Sequence, residues 1–77
     1  MPHFAFVWTD KNIRHLADNA LDPEDAETAM ADPESRFVSD SSGRRAVRGY
    51  ACDGRYIAVI FEQIDELTVY VVTAYEI

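Results

Sequence analysis

Five of the seven cationic side chains are arginines gathered between residues 36 and 55: Arg36, Arg44, Arg45, Arg48 and Arg55. Guanidinium groups grip phosphate in a fixed fork and stabilise negative charge developing in a transition state. Glu62 and Tyr75 follow as groups able to move a proton. Tyr56 adds a ring on which an unpaired base stacks. These are the parts of a metal-free, open-face ribonuclease site. In it Arg45 and Arg55 hold phosphate, Glu62 or Tyr75 handles the proton or the base, and Arg44, Arg48 and Tyr56 contact RNA. Each group has a structural use as well. Arg45 and Glu62 make a cross-strand ion pair, the tyrosines pack or form a dimer contact, and Arg44 and Arg55 are solvated beside turns.

Other chemistries lack their signatures. There is no Gly-rich phosphate loop, no nucleophile elbow and no His, Cys or acid set at metal-ligand spacing. His3 and His15 are isolated, and Cys52 is the single cysteine, without an activating neighbour in sequence. The expectation is a protein with no metal and no cofactor.

The net charge of −7 argues against general nucleic-acid binding. Its distribution is uneven. Residues 1–35 carry two cations against eight acids, residues 36–55 five arginines against two acids, and residues 56–77 four acids and no cation. The middle stretch is thus either a solvated strand region or a local anion site.

Seventy-seven residues make one domain, 1–77. A chain of this size buries only roughly 60% of its unfolded surface, so a site belongs on an open face or at an interface. With 48% hydrophobic and 27% charged residues the composition is that of a globular domain. No basic, apolar leader and no run of about 18 apolar residues is present. With one cysteine, this points to a cytoplasmic protein that does not enter a membrane.

Local signals place the elements. Phe4 to Trp8 is of strand type, and Thr9 caps a helix from about Asp10 to Ala20. Ile13, Leu16, Ala17 and Ala20 form its apolar stripe, leaving Lys11, His15 and Asp18 to solvent. Asp22, Pro23 and Asp25 read as N-cap, N1 and N3 of a second helix, with Leu21 and Ala26 at the staple positions and Ala26, Ala29 and Met30 turned inward. Asp32-Pro33 ends it. Arg36 to Ser39 is a short edge strand, followed by a loop at Asp40-Ser41-Ser42-Gly43. Arg45 to Cys52 and Arg55 to Gln63 flank Asp53-Gly54, a hairpin signal, and Leu67 to Glu76 is the last strand. The fold class is α+β, with two N-terminal helices packed on one face of a three- to four-stranded antiparallel sheet.

With two-residue turns, Arg45 lies opposite Glu62 and Arg55 opposite Glu76. One face then collects Ile57, Val59, Phe61, Tyr70, Val72 and Ala74 and belongs to the helices. The other collects Arg45, Val47, Gly49, Ala51, Tyr56, Ala58, Ile60, Glu62, Val69, Val71, Thr73 and Tyr75. That second face is more apolar than solvent alone requires, which suggests a partner or a self-interface. Arg48 falls on the helix side in this register, so either it snorkels to an edge or the register differs there.

The order of these pieces resembles the BrnT-type toxins of the RelE-like superfamily. Phe6-Val7-Trp8-Thr9-Asp10 looks like their opening, and Asn12-Ile13-Arg14-His15 like their Asn-x-x-Lys-His element. Leu21 to Glu27 resembles the segment starting their second helix, with Asp32-Pro33 in the matching place. Arg45 with Gly49, Gly54-Arg55, Tyr56 to Phe61, and Val71-Val72-Thr73-Ala74-Tyr75 follow, Tyr75 standing where the family has arginine. The resemblance implies a helix-helix-sheet fold, RNA as substrate and a cognate DNA-binding antitoxin as partner. The expectation is therefore a toxin-like protein of a type II toxin-antitoxin system. The alternative, from the residues alone, is a noncatalytic interaction module that dimerises or binds a partner protein through its sheet face.

Overall fold

Why the first helix begins where it does is settled by four side-chain bonds. The computed structural model describes residues 5–39 and 43–77. Strand β1, Ala5–Val7, leads through Trp8 and Thr9 into helix α1, Asp10–Asp18. The Asn12 N–H donates to Thr9 Oγ1 at 3.3 Å, while Asn12 Oδ1 accepts from the Thr9 N–H at 2.7 Å and from the Thr9 hydroxyl at 3.2 Å. Asn12 Nδ2 donates to the Val7 carbonyl at 2.8 Å. This is a capping box with asparagine at N3. Its hydrogen bonds let a buried amide stand where an apolar residue is expected.

The box sets the rotation of the helix. With Asn12 buried, Leu16 one turn later enters the core, and Ile13 is left 38% exposed, with Ala17 and Ala20 outside too. The apolar stripe expected at Ile13, Leu16, Ala17 and Ala20 is thus corrected to Asn12 and Leu16. The helix also ends two residues early. Ala20 takes φ +59°, and the Leu21 N–H returns to the Leu16 carbonyl at 2.9 Å, a left-handed termination.

Helix α2, Pro23–Ala31, follows its sequence signals. Asp22 caps the Asp25 N–H at 2.9 Å, and Asp25 returns the bond to the Asp22 N–H at 3.1 Å. Leu21, Ala26, Ala29 and Met30 are all buried. Asp32 closes the helix before Pro33.

The remaining strands are β2, Ser35–Val38, β3, Arg45–Tyr50, β4, Tyr56–Gln63, and β5, Thr68–Glu76. The sheet order is β1-β5-β4-β3-β2. It is five-stranded and mixed rather than three- to four-stranded and antiparallel. β1 joins β5 in parallel, with the Ala5 N–H donating to the Leu67 carbonyl at 2.6 Å. Both helices lie between β1 and β2 in the chain, so these two short strands end on opposite edges. The expected Asp40-Ser41-Ser42-Gly43 loop lies outside the described residues apart from Gly43, as does Phe4 of the first strand.

Two irregularities decide which side chains face the helices. The β3–β4 hairpin is not closed by a two-residue turn. The Gly54 N–H donates to the Ala51 carbonyl at 3.0 Å and the Ala51 N–H to the Arg55 carbonyl at 2.9 Å, with Gly54 at φ +91°. A turn plus a left-handed glycine inserts one residue beyond the simplest hairpin. Tyr50 therefore pairs with Tyr56 and Arg45 with Phe61. In β5, Val72 is an extra residue: Ile60 faces Thr73, but Phe61 faces Val71.

Each one-residue change turns side chains to the opposite face. The helix side thus holds Val47, Gly49, Ile57, Val59, Phe61, Val69, Val71 and Ala74. All but Gly49 belong to one core cluster with Leu16, Leu21, Ala26, Ala29 and Met30. The expected placement of Ile57, Val59, Phe61 and Ala74 holds. That of Val47, Gly49, Ala51, Val69 and Val71 away from the helices, and of Tyr70 toward them, does not. Gly49 is needed where α2 crosses β3: a Cβ there would lie 2.8 Å from the Ala29 carbonyl oxygen.

Candidate functional site

The face away from the helices carries Ala46, Arg48 and Tyr50 from β3, Tyr56, Ala58, Ile60 and Glu62 from β4, and Tyr70, Thr73 and Tyr75 from β5. Its centre is low and its rim is tall. Ala46, Ala58 and Ile60 are buried although they are outside the helix-side core, because taller neighbours stand over them. Tyr50 and Tyr56 pack with ring centroids 5.0 Å apart. The Arg48 guanidinium sits 4.0 Å above the Phe37 ring, a cation–π contact. Arg48 is therefore half-buried on the helix-free face and needs no snorkelling. Tyr50 is 53% exposed and Tyr75 43%.

The charges here are balanced. Glu34 reaches in from the start of β2, accepting from the Tyr56 hydroxyl at 3.5 Å. Its carboxylate, as a neighbouring charge and then as a hydrogen-bond acceptor, pushes the Tyr50 phenol above the ordinary tyrosine range. Glu62 binds Arg44 Nε at 2.8 Å. Two arginines and two glutamates thus sit on this face of a chain whose net charge is −7.

The residues expected to act on RNA are spread over three places. Tyr56, Tyr75, Glu62, Arg44 and Arg48 share the helix-free face. Arg45 pairs with Phe61 and so lies on the helix side, exposed beyond the end of α2. Its expected partner Glu62 is bound to Arg44 instead. Arg55 does not lie opposite Glu76, which pairs with Ile57. It sits at the hairpin with Nε 2.7 Å from Asp53 Oδ2 and a terminal nitrogen 3.7 Å from Asp25 Oδ2. Arg45 and Arg55 are thus brought together neither with each other nor with Tyr75.

Asp25 is a junction that spacing alone did not single out. Beyond its cap it accepts the Cys52 N–H at 3.2 Å and meets Arg55, tying the start of α2 to the hairpin. The adjacent Cys52 Sγ and Thr28 Oγ1 lie 3.1 Å apart. Among the described residues, no group of three His, Cys, Asp or Glu side chains is placed to hold a metal ion. No helix among them is long and apolar enough to cross a membrane.

No family model, curated protein or solved structure matches the chain. The resemblance to BrnT-type toxins rests on the sequence pieces that suggested it.

Proposed function

We propose that the chain is a noncatalytic protein-interaction module whose helix-free sheet face joins a second copy. The observation that carries this is the character of that face. Tyrosine and arginine are the residues that most often anchor protein interfaces, because each brings large, stiff area with a polar tip. Here Tyr50, Tyr56, Tyr70, Tyr75 and Arg48 surround a floor of alanine and isoleucine. Charge selects the second copy. The molecule as a whole repels its like, but this face sums to zero and carries both signs. In a twofold arrangement Arg48 of one copy meets an acid of the other, and the reverse.

Sedimentation equilibrium tests it. The wild type should form dimers at micromolar to millimolar concentration. Tyr50→Ala with Tyr75→Ala should keep its circular dichroism spectrum and remain monomeric. A wild type that is monomeric throughout this range contradicts the proposal.

A second reading keeps the RNA-cleaving toxin with its antitoxin. What favours it is the same set of rings beside Arg48 and Arg44, a surface on which unpaired bases stack. Induced expression separates the two. Growth arrest with loss of RNA, relieved by Arg45→Ala or Arg55→Ala, supports the toxin. Unchanged growth and intact total RNA remove it.

A further inference from the structure

The helix layer leaves one part of its own side of the sheet uncovered. Beyond the end of α2, Met30, Val38, Val47 and Phe61 floor a groove of about 330 Å³. Arg36 and Arg45 stand on its rim, with Gln63 at one end. Val38 is 62% exposed. Arg36 pairs with Val47 and Val38 with Arg45, so the two arginines are diagonal neighbours on one face, a spacing of roughly 7–8 Å. Among the described residues neither takes part in an ion pair, whereas Arg44 and Arg55 are committed to carboxylates.

The same strand is a sheet edge. Among the described residues, β2 is last in the sheet order and pairs only with β3. The Ser39 N–H donates to the Arg44 carbonyl at 2.8 Å, so Ser39 is a hydrogen-bonded position of the ladder. By the alternation of antiparallel pairs, Phe37 also turns its backbone groups to β3, while at the start of the strand the Glu34 N–H donates to the Arg48 carbonyl at 2.7 Å. Arg36 and Val38 then turn theirs outward. The two residues that offer side chains to the groove also offer free N–H and C=O groups to an incoming strand.

We propose that this edge and groove form a peptide site, which takes an extended segment of alternating apolar and acidic residues as a sixth strand beside β2. Backbone bonds to Arg36 and Val38 supply register, as in other cases of strand addition. Apolar side chains lean over Val38 into the groove, and carboxylates meet Arg36 and Arg45, where guanidinium binds them in a fork. Charge fixes the partner's sign: in a chain this acidic, two cations without acidic partners among the described residues, on the rim of an apolar groove, select an anionic ligand. The site lies on the other side of the sheet from the tyrosine face and stands whether or not that face dimerises.

The probe is a fluorescein-labelled heptapeptide of alternating valine and glutamate, followed by fluorescence anisotropy. Saturable binding is expected. Arg36→Glu with Arg45→Glu should weaken it at least tenfold. Val38→Pro, which deletes an outward N–H while sparing the β2–β3 ladder, should weaken it severalfold. Tyr75→Ala should leave it unchanged, which separates this site from the dimer face. The inference is overturned by no saturable binding at millimolar peptide, by equal binding of a valine–lysine heptapeptide, or by indifference to the arginine pair. It is also overturned if Val38→Pro has no effect and hexanoate competes as well as peptide, since the groove would then hold a small carboxylate and no strand.

Discussion

Asp25 shows how much one side chain can carry in a chain this short. It closes the cap of α2, accepts the Cys52 N–H and faces Arg55 while almost fully buried. Replacing it with alanine leaves the Asp22 and Cys52 N–H groups without their acceptor and removes the more distant of the two carboxylates that face Arg55. Asp25→Ala should therefore cost about 1–3 kcal/mol, read as a lower urea midpoint at unchanged slope; an unchanged midpoint would show the junction to be idle. Asp53 makes a related prediction in pH. The Arg55 N–H at 3.1 Å, followed by the Arg55 side chain, holds its carboxyl below the ordinary carboxylate range despite some desolvation. A depressed folded value means that its contribution is present above the unfolded carboxylate range and is lost as pH falls through the depressed one. Asp53 is exposed, so the effect is modest and screened by salt. Thermal melts between pH 2 and pH 6 should show a shallower acid loss for Asp53→Asn than for the wild type. Superimposable profiles would contradict this.

At the scale of elements, what could be read from sequence was what is decided locally. Thr9, Asp22, Pro23 and Asp32-Pro33 act within one helical turn, so both helices begin where these residues predict and α2 also ends there. The edge strand at Arg36 and the three long strands follow from β-branched and aromatic runs between turns. Faces were harder. Asp53-Gly54 fits a two-residue hairpin, and only the observed bonds reveal the added residue. Nothing in Val71-Val72-Thr73 marks Val72 as a bulge. Together these moved Arg45 from the expected site to the helix side and brought Arg48 and Tyr70 out. Asn12 displaced the expected stripe because its amide is satisfied by a cap that apolar periodicity does not register. The closest approach between layers gives a direct test. Gly49→Ala drives a Cβ against backbone of α2, which a packed core resists by about 1–3 kcal/mol. Chemical denaturation should show that loss, whereas an unchanged midpoint would mean that α2 does not sit where β3 requires a glycine.

For the whole molecule, the division of labour follows from size. One side of the sheet is spent on the two helices that make the core, so recognition falls to the surface that remains. That surface has a charge-balanced tyrosine face on one side and an arginine-rimmed groove at an edge on the other, within a compact body of Cα radius of gyration 11.1 Å. The net charge of −7 disfavours nonspecific self-association, so in the proposed dimer the charge-balanced face would be the favoured contact. The RNA reading has Arg45 and Arg55 hold phosphate with Glu62 or Tyr75 handling the proton or the base; Arg45 stands at the start of β3 on the helix side and Arg55 at the β3–β4 hairpin.

Amide chemical shifts of the labelled protein, followed on dilution from millimolar to low micromolar, test the central claim most directly. The shifts of Arg48, Tyr50, Ala58, Ile60, Tyr70 and Tyr75 should move together with concentration, while those of Arg14 and Ala17 on the outer side of α1 stay fixed. Concentration-dependent shifts confined to α1 and α2, or none anywhere, would contradict a dimer built on the tyrosine face.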